Sequence, residues 1–511
     1  MKTTNRVCSY DAPKEWAGRG GGAPSGESLV SELYRALLEG ADARAIAVVE
    51  GASERTYGEL LERSLQIAAL LDREPSAHDE PIAIAMRCGF NYIACVLGVL
   101  WTGRSFVPVD PSYPSQRISH ILRDSAVCCV LHDATVSKDI VDQHQTPFIQ
   151  IEGSGDQWQN SPRLEVVDRT IYTIYTSGTT GLPKGVPILA SGLHSFLVEQ
   201  GKYLRVSRDS VFAATSSISF DMSIWEVFLS LLHQARIVAF DRETIIDGRC
   251  LGNSLVRQCV THILMTPSML STLPKIPYPA LKHVVSAGEK CSLALIEFWS
   301  GVCSFHDAYG ATEATIYTTI TDKNKHTHPG DVGRAMCGND VLVVNEQLNP
   351  VAVGADGEIC IGGVGVSPGY QNRPDLNREK FVWINERRYY RTGDVGSLNA
   401  NGSLLFKGRK DKQVKLNGFR IELEEIETVS NRTGLIVSCH AALLCVQSDF
   451  STLVLFAVPR DGVAFSAALL KTRLGEFLPS YMVPNRIIAI DHLPLTVNGK
   501  VDSVALLSAL T

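Results

Sequence analysis

The sequence predicts an α/β fold: a large N-terminal domain of layered αβ subdomains plus a β-barrel-like subdomain, with a small α+β C-terminal domain. Three observations predict it. Short apolar runs alternate with amphipathic helical stretches over most of the chain. From 333 to 405 the texture changes to short β-like pieces broken by Gly, Pro and Asn. A charged segment, Gly408-Arg409-Lys410-Asp411-Lys412, then precedes a mixed α/β tail. At 511 residues, with about 150 per domain, several hydrophobic cores are expected.

Residues 1–27 include Gly20-Gly21-Gly22-Ala23-Pro24-Ser25-Gly26 and lack the apolar core of a signal peptide, so they read as a flexible lead-in. Residues 28–38 are amphipathic, 45–49 are strand-like, 57–71 are amphipathic again, and 81–86 form a second strand before a helix over 91–101. That order is βαβ with parallel sheet. Further strands are expected at 127–131, 211–214, 236–240, 262–265 and 283–285, with helices between them such as 223–232. The 333–405 stretch is expected to be an antiparallel, barrel-like part of a core spanning 28–410. A polar cluster between self-contained patterns suits a hinge, placed near Asp411, and 411–511 is long enough for a small domain.

Composition narrows the class. Hydrophobic residues at 45% and charged residues at 20% fit a packed protein rather than a disordered one. A net charge of −6, from 48 basic and 54 acidic residues, argues against a nucleic-acid or anionic-membrane partner. The apolar run 92–101 is about half the ~20 residues that a membrane span requires. The thirteen cysteines show no CxxC pair or metal-ligand spacing and read as buried free thiols in a reducing compartment. A soluble cytoplasmic protein is expected.

The chemistry is concentrated in Tyr175-Thr176-Ser177-Gly178-Thr179-Thr180-Gly181-Leu182-Pro183-Lys184-Gly185. Its glycines let backbone N–H groups approach an anion, its hydroxyls add donors, and Lys184 adds positive charge. The common P-loop needs a hydroxyl residue after the lysine, whereas Gly185 and an apolar run follow here. A strand-loop-strand setting is therefore expected. Asp307-Ala308-Tyr309-Gly310-Ala311-Thr312-Glu313 offers an aromatic face, a hydroxyl and a carboxylate suited to magnesium beside phosphates. Tyr390-Arg391-Thr392-Gly393-Asp394 puts an acid after a turn, suited to ribose hydroxyls. Gln413 to Glu422 combines cations with a glycine turn, and Thr496-Val497-Asn498-Gly499-Lys500 places a lysine at a turn.

In this order the motifs resemble those of the adenylate-forming superfamily, specifically the amino-acid-activating adenylation domains of nonribosomal peptide synthetases. The resemblance runs from about Val30 to Asp502 and also includes Leu100 to Pro111 and Phe220-Asp221-Met222-Ser223-Ile224-Trp225-Glu226. Ala311 stands where that family usually has proline, and Phe406 where an aromatic with a hydroxyl is common. The resemblance implies ATP and Mg²⁺, formation of an acyl-adenylate, and transfer of the acyl group to the phosphopantetheine thiol of a carrier protein. The chain stops soon after Asp502, so a separate carrier acting in trans is expected, with room for a small activating partner protein.

By motif, the resemblance implies that Thr176, Ser177, Gly178, Thr179, Thr180, Gly181 and Lys184 hold the β- and γ-phosphates. Tyr309 would stack on adenine with Asp307 near its amino group, Asp394 would bind ribose, and Arg409 ribose or phosphate. Phe406 belongs to the same nucleotide-binding set. Glu313 would hold Mg²⁺ and Thr312 the phosphate region. Lys500 would bridge the substrate carboxylate and the α-phosphate. Asp411 matches the hinge of a mobile C-terminal domain, and Lys415 with Gly418 lies in the segment that rotation brings to the site for transfer.

Asp221 matches the aspartate that pairs with a substrate ammonium; its bland alternative is a helix N-cap. The remaining pocket positions implied are Met222, Trp225, Ser268, Val285, Ala287, Ala308, Ile316 and Tyr317. No acid or base apart from Asp221 and Lys500 occurs in that set, so a neutral, medium-sized or aromatic amino acid is expected. The Ser268 and Tyr317 hydroxyls are left to meet a polar group. An acyl- or aryl-CoA ligase and a non-catalytic nucleotide-binding relative are the alternatives.

Overall fold

The computed structural model describes residues 28–40, 42–73, 80–151, 160, 162–164, 168–178, 181–447, 450–495 and 501–510. The expected lead-in, Thr179, Thr180 and Lys500 lie outside the described residues.

Two sheets build the layered core. One has six strands in the order Phe148–Gln150, Cys129–His132, Ile82–Ala85, Phe106–Pro108, Thr170–Thr176, Lys184–Leu189. Its neighbours run parallel except the last pair. The other has nine strands. Its inner six, Ile46–Glu50, Arg236–Ala239, Val211–Ala214, His262–Met265, His283–Ala287 and Ser304–Tyr309, run parallel in that order, and antiparallel strands close both edges. The helix Phe90–Trp101 contacts strands of both sheets. That position buries every residue from Tyr92 to Trp101 and explains why the run has no polar face. Against it lies Tyr57–Asp72, whose start is fixed by a capping box between Thr56 and Glu59.

The antiparallel subdomain is a five-stranded sheet built on the long strand Arg387–Leu398. Gly357–Gly363 pairs along one side of it, while Phe381–Ile384 and Leu404–Arg409 share the other. The charged segment expected to be wholly linker is partly strand, because Gly408 and Arg409 continue the ladder opposite Val395 and Asp394. The sequence reading also did not anticipate the strands Ser53–Thr56 and Phe106–Pro108 or the helices Ser115–Ser125 and Ala190–Tyr203.

Beyond Arg409 come the hairpin Gln413–Leu416/Phe419–Glu422, the helix Leu423–Arg432, and a three-stranded sheet of Ile436–Gln447, Phe450–Pro459 and Arg486–Ala489. This part has its own core, with Ile421, Ile426, Leu453, Leu455 and Leu470 buried. Asn417 and Gly418 turn the hairpin with φ +51° and +80°, the left-handed pair that matches the twist of the two strands. The turn is seated against the larger core so closely that a β-carbon on Gly418 would collide with Thr266. Arg117 and Glu425, both almost fully buried, pair across the same boundary at 3.0 Å. Phe419 stacks on Tyr481 with centroids 3.8 Å apart, and Phe220 of the larger part meets them edge-on.

Eleven cysteines of the described residues are free thiols. Cys250, Cys259 and Cys337 are exposed, which corrects the expectation of buried thiols; Cys250 lies outside the buried stripe of the amphipathic helix Gly248–Arg257. Among the described residues no helix is long and apolar enough to cross a membrane.

Candidate active site

The loop 177–183 joins Thr170–Thr176 to Lys184–Leu189, which pair antiparallel, as the strand-loop-strand reading expects. Gly181 turns it with φ +80°, and its N–H donates to the Gly178 carbonyl at 3.1 Å. Thr176 Oγ1 is buried without a hydrogen-bond partner. Ser177 Oγ donates to the Arg420 carbonyl at 2.7 Å, and the Gly178 N–H donates to Glu425 Oε2 at 3.1 Å. A carboxylate of the small C-terminal part thus occupies a backbone donor of the loop. Lys184 is buried, with its ammonium 4.5 Å from the centre of the Tyr370 ring. Burial lowers its pKa, and the nearby Glu313 carboxylate opposes that shift.

Glu313 sits in the single turn Thr312–Ala314 after the strand Ser304–Tyr309 and is fully buried. Its Oε1 accepts from the Tyr370 hydroxyl at 2.7 Å and its Oε2 from Arg420 Nη1 at 2.7 Å. Burial resists ionisation, but the charges of Arg420 and Lys184 and the Tyr370 hydroxyl outweigh it and hold this carboxyl at about 2. Glu313 can offer Mg²⁺ one ionised carboxylate, whose Oε2 is held by Arg420 in this arrangement. Among the described residues no cluster of three His, Cys, Asp or Glu side chains forms, so the rest of a magnesium shell would come from phosphate and water.

A cavity of about 400 Å³ lies beside this turn, lined by Asp307, Ala308, Tyr309, Phe406, Arg409 and Lys415 among others. The Tyr309 hydroxyl donates to Asp394 Oδ2 at 2.6 Å, and Arg409 pairs with Asp394 Oδ1. Arg409 also reaches Asp411 through Nε at 2.7 Å and Nη2 at 2.8 Å. One chain of bonds therefore links Tyr309, Asp394, Arg409 and Asp411. The Phe406 ring is 5.7 Å from that of Tyr309, and Lys415 Nζ lies 5.8 Å from the Tyr309 centroid. Asp307 is buried with Lys323 at 3.4 Å; burial pushes its carboxyl up to about 7 against the pull of that lysine.

Asp221 opens the helix Asp221–Leu232. The chain ahead of it is pinned from two sides. Asp110 Oδ2 accepts from Ser217 Oγ at 2.7 Å, and the Asp110 N–H donates to Ser219 Oγ at 3.0 Å. Glu226, fully buried, accepts from the Thr215 N–H at 3.2 Å and from the Ser216 N–H and Oγ at 3.1 and 2.8 Å. The motifs around 107–111 and 220–226 thus share one loop. Phe220 holds the N-cap position with no side-chain cap bond, so Asp221 is not the cap. Asp221 is half-buried and forms no ion pair among the described residues. Burial pushes its carboxyl up to about 6; a hydrogen bond to Thr312 opposes the shift, and the Glu313 charge adds to it.

Trp225, Val285, Ala287, Ala308, Ile316 and Tyr317 are buried, and Met222 is half-buried. Thr315 and Ile316 have φ +62° and +67°, which β-branched residues rarely adopt. Thr315 Oγ1, bonded to the Gly365 carbonyl at 2.7 Å, helps hold this strain, of a kind concentrated at functional sites. The hydroxyls expected to meet a polar group are already engaged. Ser268 Oγ and N–H both go to Glu289, and the Tyr317 hydroxyl donates to Gln200 Oε1 at 2.6 Å. Sequence reasoning also missed Arg420, Glu425, Tyr370 and Glu289 as members of this region. Arg420 lay inside a recognised segment, but its partner Glu313 is 107 residues away in the chain, and no local pattern announces that pairing.

The fold and the site define an AMP-binding, adenylate-forming enzyme. The family described as "AMP-binding enzyme" matches residues 38–371, and the chain belongs to it. It is similar to nonribosomal peptide synthetase adenylation domains. It is 34% identical over 490 residues to bacitracin synthase 3 of Bacillus licheniformis, a match covering 94% of this chain and 8% of that protein. It is 31% identical to novobiocin biosynthesis protein H of Streptomyces niveus, covering 94% of this chain and 83% of the relative. The chain thus spans less than a tenth of the first synthetases it matches. The structure of holo-PA1221, a protein containing adenylation and PCP domains, shares the fold with a TM-score of 0.84 at 23% identity, over 94% of this chain and 84% of that one.

Proposed function

We propose that this chain activates a neutral amino acid as its aminoacyl-AMP and passes the aminoacyl group to the phosphopantetheine thiol of a carrier protein. The observation that carries the amino-acid reading is Asp221: a half-buried carboxylate with no ion-pair partner among the described residues, next to the Thr312–Glu313 turn, is suited to a substrate ammonium. Trp225, Val285, Ala287, Ala308 and Ile316, the positions assigned to the pocket, are apolar and buried, and with the Ser268 and Tyr317 hydroxyls already bonded they favour an aliphatic or aromatic side chain.

In the first step a carboxylate oxygen of the amino acid attacks the α-phosphorus of ATP, and pyrophosphate leaves. Lys184 and the loop from Thr176 to Gly181 would hold the β- and γ-phosphates, and Thr312 would face them. Lys500 would neutralise the approaching carboxylate and the α-phosphate. Tyr309 would stack on adenine within the cavity that Phe406 and Asp307 also line, and Asp394 and Arg409 would hold the ribose. Glu313 would hold Mg²⁺, which when bound withdraws charge from the phosphates. In the second step the thiol sulfur attacks the acyl carbon and AMP leaves. The seating of Gly418 against Thr266 and of Lys415 beside Tyr309 supports assigning the described arrangement to this step, with Asp411 as the pivot.

ATP–pyrophosphate exchange against standard and nonstandard amino acids, aryl acids and fatty acids tests the reading. Exchange confined to a neutral amino acid, followed by acyl transfer to an added holo-carrier protein, is expected. Exchange only with aryl or fatty acids, and transfer to free coenzyme A, would replace the reading with an acyl- or aryl-CoA ligase.

A further inference from the structure

Glu289 lies just beyond the strand His283–Ala287 and carries bonds from two parts of the molecule. Its Oε2 accepts from the Ser268 N–H at 3.0 Å and from Ser268 Oγ. Its Oε1 accepts from the Gly418 N–H at 2.7 Å, at the tip of the hairpin Gln413–Leu416/Phe419–Glu422. Ser268 stands in the short helix Pro267–Thr272 on the wall assigned to the acyl pocket, and Gly418 belongs to the C-terminal part. The two carboxylate oxygens are therefore divided, one for each body.

We infer that Glu289 is a positioning residue for acyl transfer: it latches the Asn417–Gly418 turn in its seated position and ties that position to the acyl-pocket wall through Ser268. The inference rests on the proposed two-step reaction. Its physical basis is that both central residues of the turn have positive φ, so the Gly418 N–H has a fixed direction. A carboxylate at 2.7 Å gives it a charge-assisted bond stronger than a neutral acceptor would make. The close approach of Gly418 to Thr266 leaves no room for the turn to seat in another register. When the C-terminal part moves away, Glu289 keeps Ser268 and loses Gly418, so its second oxygen contributes to one arrangement only. A contact present in one of two arrangements shifts their populations, whereas one present in both does not.

Two measurements on the full chain test this with Glu289→Ala and Glu289→Gln. The first is amide hydrogen exchange of the peptide containing Gly418 in the ligand-free protein, which needs no knowledge of the substrate. Protection should fall at least tenfold in Glu289→Ala and by less in Glu289→Gln, which keeps an acceptor and the side-chain shape. Unchanged protection in both would overturn the latch. The second compares single-turnover acyl transfer with pyrophosphate exchange. Transfer divided by exchange should fall about tenfold in Glu289→Ala, with partial rescue in Glu289→Gln. A parallel loss of both steps would mean that Glu289 supports the fold rather than the docked turn. If the unmodified protein exchanges pyrophosphate with no acid while the Gly418 protection changes as expected, the latch stands and the proposed reaction fails.

Discussion

Asp221 combines a strong sequence signal with a distinctive environment. Its carboxyl, raised to about 6 by burial, must be ionised to hold an ammonium, so protonation below that pH removes the attraction. The KM for the amino acid should therefore climb as pH falls from 7 to 5, approaching tenfold per unit below 6, while the KM for ATP changes less. Steady-state exchange kinetics across that range would check it. Asp221→Ala should raise the amino-acid KM at pH 7 by tenfold or more and flatten its pH dependence; equal effects on both substrates would point to disruption of the helix start. At this scale the sequence order Phe220-Asp221-Met222 marked the residue, but its lack of an ion-pair partner among the described residues depends on which side chains the fold brings near. The engagement of Ser268 and Tyr317 was likewise illegible, since Glu289 and Gln200 lie 21 and 117 residues away.

Two elements carry consequences that their own sequences do not show. The hairpin around Asn417–Gly418 is legible as a turn, yet its seating against Thr266 is a tertiary contact. Gly418→Ala should leave pyrophosphate exchange within a few-fold of normal and cut single-turnover transfer at least tenfold, because the added carbon meets Thr266 and the residue must hold φ +80°. Equal loss of both steps would show a folding defect instead. On the nine-stranded sheet, His262, His283 and His306 stack across neighbouring strands with centroids 5.0 and 5.3 Å apart. His306 bonds Asp322 at 2.8 Å and His283 at 3.0 Å. Burial holds His262 and His283 at about 4, below the ordinary 6.5. Between those values the unfolded chain binds protons that the folded chain refuses. Stability is therefore full above pH 6.5 and lost as pH falls toward 4, by on the order of 3 kcal/mol for His262 alone. Calorimetric Tm values at pH 7, 6 and 5 should show that decline, and His262→Phe, which keeps a ring against Phe212, should lessen it.

For the molecule as a whole, the decisive feature is that the C-terminal part occupies groups assigned to phosphate and to magnesium. Arg420 pairs with Glu313, its carbonyl takes Ser177 Oγ, and Glu425 takes the Gly178 N–H. Phosphate oxygens would compete with these contacts at the Ser177 and Gly178 donors, and Mg²⁺ with Arg420 at Glu313. Adding Mg·ATP should raise hydrogen exchange across 413–432, where the seated hairpin and helix lose their bonds to the core; unchanged exchange would mean that nucleotide binds without displacing them. The buried Arg117–Glu425 pair resists such movement, because separating two desolvated charges is costly unless water or new partners reach both.

The sequence alone determined the α/β class, the parallel strands and their helices, the strand-loop-strand setting of the glycine-rich segment and the adenylate-forming family, because these depend on local periodicity, glycine placement and motif order. It anticipated the antiparallel sheet by texture but ended it short of Arg409, since a charged pair with Asp394 extends the ladder where composition reads as linker. Only the tertiary structure decided that Glu313 faces Arg420, that Glu425 fills the Gly178 donor, and that Glu289 divides its oxygens between Ser268 and Gly418. Those are pairings of buried charge and hydrogen-bond donors across more than a hundred residues of chain, or between separately packed bodies. Their strength comes from exclusion of water at the contact, a quantity set by packing and absent from any local pattern of residues.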